Sequence, residues 1–183
     1  MKITRAIAKR HIIHFILLVL LVVVDQLFKV WARGSLKGNE DITVIPGILS
    51  FSYLENRGAV WGIFQNKTTF LILLTAVIFV AVLVIYFKLP PKKKYNPARV
   101  LLVFIAAGGL GNIIDRVIFG YVTDFIRFDF IDFPVFNVAD MYITVCEVIA
   151  LILVFFVYRD DLDSKESSKE SKQEEPSDGT SRF

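Results

Sequence analysis

Histidine and cysteine are nearly missing from this chain: two histidines and one cysteine occur in 183 residues. Both histidines, His11 and His14, stand at the start of the first long apolar run. The far end of that run therefore cannot build a Ser-His-Asp triad or a His-x-x-x-His zinc site. Cys146 has no partner for an intrachain disulfide. Embedded in an apolar stretch with no histidine nearby, it reads as a packing residue rather than a nucleophile.

Charge is also missing over long stretches. No formally charged residue occurs from Ile12 to Val24, and Phe70 to Phe87 is wholly apolar or hydroxylated. Val100 to Ile114 and Met141 to Tyr158 are similar, the last broken only by Glu147. The chain is 55% hydrophobic with a mean hydropathy of +0.57, well above a soluble domain. About 20 apolar residues carry a helix across a hydrocarbon core of roughly 30 Å. With their flanks, all four runs reach that length, at about 12–31, 69–87, 99–119 and 140–158. Lys2, Arg5, Lys9 and Arg10 would suit the head of a secretory signal. However, the apolar run outlasts the usual core of about 7–15 residues and no small-x-small cleavage site follows. The first run is expected to be a retained span.

Basic residues set the expected orientation. Four precede the first span, and Lys88, Lys92, Lys93, Lys94 and Arg99 crowd the link between the second and third. Both termini are thus expected in the cytoplasm, with connections 32–68 and 120–139 outside. The net charge of +3 divides into −3 for Arg159 to Phe183 and +6 for the rest. That final segment, 159–183, has little to bury and is expected to be a disordered cytoplasmic tail beside a four-span domain of residues 1–158. The basic surplus fits membrane orientation, and no nucleic-acid partner is expected.

The outer connections carry short-strand signals. Ile42 to Ile45 runs into Pro46-Gly47, a strong turn pair, and then Leu49, Phe51 and Tyr53 alternate with Ser50, Ser52 and Leu54. Ile126, Phe128 and Phe130 alternate with Arg127 and Asp129, in a segment that either joins the same patch or lies at the interface. The expected fold is an all-α polytopic membrane protein: four transmembrane helices with a small β-rich extracytoplasmic patch.

Ionisable residues within spans are costly and point to function. Asp25 and Lys29 share one face near the outer end of the first span. Asn112, Asp115 and Arg116 occupy the outer end of the third, Asp124 follows in the loop, and Asp140 opens the fourth. Neutralising pairs, Asp25 with Lys29 and Asp115 with Arg116, explain part of this set without catalysis. Asp124 and Asp140 have no basic partner nearby in sequence, and such carboxylates should have raised pKa values. Spacing alone does not choose among them, because Asp115, Asp129 and Asp132 are close by. Glu147, seven residues after Asp140 and deeper in the span, receives no role.

Five blocks of sequence resemble the bacterial lipoprotein signal peptidases (signal peptidase II) in order. They are Asp25-Gln26-Leu27-Phe28-Lys29, Asn56-Arg57-Gly58-Ala59-Val60-Trp61-Gly62, Gly108-Gly109-Leu110-Gly111-Asn112-Ile113-Ile114-Asp115-Arg116, Gly120-Tyr121-Val122-Thr123-Asp124-Phe125 and Phe136-Asn137-Val138-Ala139-Asp140. The resemblance extends over nearly all of Ile12 to Tyr158, with Val60 standing where alanine is common. It implies a membrane-embedded aspartic endopeptidase with Asp124 and Asp140 as the catalytic pair. Its substrate would be a diacylglyceryl-modified prolipoprotein, cut just before the lipidated cysteine. Asn112 and Asn137 would orient a carboxylate or the substrate backbone. Arg116 would neutralise Asp115 or hold the peptide, with the structural role favoured. Asn56, Gly58 and Ala59 would let a substrate backbone approach, and Ala139, in the last block, would be a substrate-binding or supporting residue. Asp25, Lys29 and Asp115 would brace the fold. Membrane lipids are the other expected partners; no metal or other cofactor is expected, and nothing requires more than a monomer in the inner membrane. The competing reading is a non-enzymatic scaffold or transporter subunit, but no internal repeat supports it.

Overall fold

The computed structural model describes residues 2–58 and 64–156. Four long helices dominate: α1 (Lys2–Ser35), α2 (Thr68–Lys88), α3 (Asn96–Phe119) and α4 (Val138–Phe156). All four are long and apolar enough to cross a membrane. At 1.5 Å per residue α1 is about 50 Å long, so it outreaches the hydrocarbon core and its polar ends can serve other purposes. The chain divides into compact units of residues 1–147 and 148–183; the described part of the second is the remainder of α4, to Phe156. The expected disordered tail lies outside the described residues.

Helix ends follow local chemistry. Pro90 and Pro91 stop α2 at Leu89, which is extended, as a residue before proline prefers. Pro97 sits in the first turn of α3, where its missing N–H costs nothing. That helix ends at Gly120, whose φ of 78° is the left-handed conformation of a C-terminal cap. The Thr68 hydroxyl donates to the Gly120 carbonyl at 3.0 Å, tying the start of α2 to the end of α3.

Between the helices lies a three-stranded antiparallel sheet, ordered β1 (Ile42–Ile45), β2 (Leu49–Asn56), β3 (Val122–Phe128). The β1–β2 turn is built as Pro46-Gly47 demands: Gly47 has φ 71° and the Ile48 N–H reaches the Ile45 carbonyl at 3.0 Å. The third strand corrects two expectations. It starts at Val122, not at Ile126, and Asp124 stands on it, opposite Leu54, instead of in a loop. Its first four residues are all buried, so the period-2 alternation of a half-buried strand is absent there. Phe125, 1% exposed, anchors a core with Ala32 and Leu36, against which Trp31 and Phe51 pack.

A last connection positions α4. Phe136 bridges Ile126, exchanging backbone hydrogen bonds of 2.8 and 3.0 Å with it. That clip lays the residues just before α4 beside β3, and so brings Asn137 to Asp124.

Candidate active site

The start of α4 is a reciprocal cap. The Asp140 N–H donates to Asn137 Oδ1 at 3.1 Å, and the Asn137 N–H donates to Asp140 Oδ2 at 3.1 Å. This is the geometry of a capping box, with Asn137 as the cap and Asp140 three residues on. It satisfies one orphan donor of the helix and fixes the Asp140 carboxylate at a helix N-terminus, where negative charge is favoured. A second orphan, the Ala139 N–H, is taken at 3.0 Å by Asp25 Oδ1 from α1.

Amides join this carboxylate to Asp124. Asn112 Nδ2, from α3, donates to Asp140 Oδ1 at 2.8 Å. Asn137 Nδ2 donates to Asp124 Oδ1 at 2.6 Å and reaches Asn112 Oδ1 at 3.2 Å. Asn56 Nδ2, from β2, donates to Asp124 Oδ2 at 2.9 Å. Each carboxylate thus accepts two hydrogen bonds, and two asparagines link them. Asp124 is 1% exposed. Burial, and next the charge of Asp140, push its pKa up from 3.8 to about 7, against the pull of the Asn56 and Asn137 donors.

A buried charged layer lies behind the amides. Lys29 and Asp25, both 0% exposed, pair at 2.9 Å, and Lys29 Nζ also donates to Asn112 Oδ1 at 2.9 Å. Since Asn112 Oδ1 accepts from Lys29, its amide nitrogen must face Asp140. Asp115, also 0% exposed, holds the Thr123 N–H at 2.8 Å and so fixes the residue before Asp124. Its cations are Arg33 at 3.5 Å and Lys29 at 4.0 Å. The expected Asp115–Arg116 pair is absent among the described residues, because adjacent helical residues do not face each other. Arg116 instead donates to the Gly58 carbonyl at 3.0 Å, while Asn56 Oδ1 accepts the Gly58 N–H at 3.0 Å.

Close packing of α3 makes this layer possible. A Cβ at Gly108 would lie 2.5 Å from the Ala139 carbonyl oxygen, and one at Gly111 would overlap the Asp25 carboxylate. Gly109, by contrast, has room.

Most of the residues singled out from sequence meet here: Asp25, Lys29, Asn56, Gly58, Asn112, Asp115, Arg116, Asp124, Asn137, Ala139 and Asp140. Ala59 lies outside the described residues. Asp129 is exposed and accepts hydrogen bonds from Ser50 and Arg127, which hold its pKa below the ordinary value. Asp132 and Glu147 are exposed too. Three participants had no role assigned from sequence: Gln26, which donates to Asp25 and to the Gly111 carbonyl; Thr123; and Arg33. Arg33 had a detectable signal, since positions 25, 29 and 33 form one stripe at four-residue spacing. Among the described residues no group of three or more His, Cys, Asp or Glu side chains could hold a metal ion.

Known proteins share this arrangement of sequence and fold. Residues 17–156 match the family model described as signal peptidase (SPase) II. The lipoprotein signal peptidase of Clostridium acetobutylicum is 41% identical over 143 residues, covering 76% of this chain and 90% of the relative. That of Streptococcus thermophilus is 42% identical over 136 residues, covering 74% and 87%. A solved bacterial membrane enzyme, determined in meso at 1.9 Å resolution, superposes with a TM-score of 0.68 at 34% identity, covering 79% of this chain and 93% of its own. A second, determined at 2.3 Å, gives a TM-score of 0.67 at 34% identity over 78% and 87%. A family model spanning most of the chain, with relatives this similar over nearly their whole length, identifies the protein as a membrane peptidase of the signal peptidase II family.

Proposed function

We propose that this protein cleaves the signal peptide from diacylglyceryl-modified prolipoproteins, just before the lipidated cysteine, with Asp124 and Asp140 as its catalytic pair. The observation that carries the assignment is the amide bridge: of the available acids, these two are joined through Asn112 and Asn137. Asp25 and Asp115 are occupied by Lys29 and Arg33, and Asp129 and Asp132 are exposed.

Two coupled carboxylates hold one proton near neutrality more readily than none or two. Asp124, the more buried, carries it. Its partner Asp140, held by two donors at the start of α4, takes a proton from water attacking the scissile carbonyl. Asp124 donates to the developing oxyanion, and a proton then passes to the leaving amine. No acyl-enzyme forms. Arg116 and Asn56 brace the backbone at Gly58, the near end of the segment that meets the peptide. The chain works as a monomer in the cytoplasmic membrane with both termini inside, and the diacylglyceryl group stays in the hydrocarbon beside the site.

The test uses purified protein on a prolipoprotein with and without diacylglyceryl, beside Asp124→Asn and Asp140→Asn. Cleavage of the lipidated form alone, lost in both folded variants, supports the pairing. Retained cleavage in either variant removes that residue from the pair, and equal cutting of the unlipidated form removes the lipid requirement.

A further inference from the structure

The opposite end of the bundle holds a second polar cluster that the reaction does not use. His11 and His14, one turn apart on α1, each place Nδ1 2.8 Å from the Tyr86 hydroxyl of α2. Arg10 Nη1 and Arg99 Nη1 both reach Asn96 Oδ1, at 3.4 and 3.3 Å, so two guanidinium groups converge on one neutral amide oxygen. Arg99 also donates to the backbone carbonyls of Leu89 and Pro90. Arg10 Nε is buried with no hydrogen-bond partner, and no carboxylate among the described residues pairs with Arg10. Lys9, Lys92, Lys93 and Lys94, all exposed, add positive charge at the same end.

An open cleft of about 120 Å³ runs from His11, His14 and Tyr86 of this cluster between α1, α2 and α3, with Arg10 next to His11 in sequence at its head. Below the histidines its lining is apolar, from Phe15, Leu18, Val82, Leu83, Phe87 and Leu102. A dry apolar cavity of roughly 150 Å³ accepts benzene, so this space takes the first few methylenes of a hydrocarbon chain. Phe15 and Phe87 are 65% and 68% exposed, which leaves the side towards lipid open for the remainder.

We propose that this cleft binds one anionic phospholipid, its phosphate on the Arg10 guanidinium and one acyl chain along the apolar lining. Charge complementarity selects an anion, because an orphaned donor on a permanently charged group stands beside a second guanidinium. The apolar lining selects a lipid over free phosphate. Basic pockets between spans at the cytoplasmic side hold anionic headgroups by the same means. Placement in the cytoplasmic leaflet rests on the proposed orientation; binding itself does not.

Native mass spectrometry of the full-length protein, loaded from micelles of equal phosphatidylglycerol and phosphatidylcholine, tests this. Wild type should retain one phosphatidylglycerol. Arg10→Gln, which removes a charge-assisted bond, and Leu18→Trp, which fills the channel, should each lower its occupancy at least tenfold. Both variants should cleave lipidated substrate at the wild-type rate, showing that they are folded. Equal retention of the two lipids by wild type, unchanged phosphatidylglycerol in both variants, or its displacement by millimolar inorganic phosphate would each overturn the proposal. Micelles have no leaflets, so a reversed orientation of the protein would leave these readings unchanged.

Discussion

Replacing Asp124 by Asn should make the protein less stable than wild type in acid and more stable at mildly alkaline pH. The Asp124 carboxyl is raised from 3.8 to about 7 in the fold, so the folded chain binds more protons than the unfolded chain between those values. Its stabilising contribution is present below about pH 4 and is lost as pH rises through about 7. Three pH units at about 1.4 kcal/mol each amount to a swing on the order of 4 kcal/mol that the Asn variant does not undergo. An opposing offset is independent of pH. The carboxylate accepts from two amide donors, Asn137 at 2.6 Å and Asn56 at 2.9 Å, whereas an Asn side chain offers one oxygen. The unmatched donor costs about 1–3 kcal/mol. The difference between variant and wild type should therefore change by about 1.4 kcal/mol per pH unit from about pH 4 to 7, cross zero, and flatten. Thermal unfolding in detergent, followed by tryptophan emission, measures it; Trp31 stacks edge-on against Phe125 at 6.0 Å and so reports beside the site. A melting difference constant from pH 4.5 to 8 would refute the reasoning, because it would mean Asp124 titrates alike in both states.

Lys29→Met leaves Asp25 buried beside no cation and should cost about 3–5 kcal/mol, and adding Asp25→Asn should recover part of that. Labelling of Cys146, buried in the fold, with a thiol dye during heating at fixed pH reads both; a double variant no more stable than Lys29→Met would contradict the charge argument. Gly108→Ala places a Cβ 2.5 Å from the Ala139 carbonyl and should destabilise by about 1–3 kcal/mol, while Gly109→Ala, with 3.6 Å of clearance, should be far milder in the same assay. Asn112→Ala removes the donor to Asp140 and the acceptor for Lys29, and should lower kcat by about 10- to 100-fold with a smaller change in KM, in steady-state cleavage of lipidated peptide.

The helices were legible because a bilayer demands long apolar runs, and few sequences show them by accident. The Pro46-Gly47 turn was legible for a comparable reason: it needs a preset φ followed by a positive one. The third strand was not. Alternation marks a strand only where one face meets water, and Val122 to Phe125 are covered on both. The carboxylates stood out by their depth, but which of them pair depended on a contact invisible in sequence, the Phe136–Ile126 bridge. Arg116 was misdirected to Asp115 by adjacency, although a helix turns neighbours apart; the residue four places after Lys29 was the better candidate. Gly58 accepts from Arg116 through its backbone, which side-chain chemistry does not encode.

The reciprocal hydrogen bonds between Asn137 and Asp140 carry a consequence for biogenesis. Under the proposed pairing, one of the two catalytic carboxylates, Asp140, also closes the first turn of α4. Its working orientation exists only when that helix has formed and its first turn is closed. A ribosome-bound chain with three helices inserted already holds Asp124, yet it lacks the partner that would make water reactive. Under that pairing, hydrolytic competence arrives with the completion of membrane insertion. Fraying of that one turn would part Asn137 from Asp140 and release the carboxylate from its place beside Asn112.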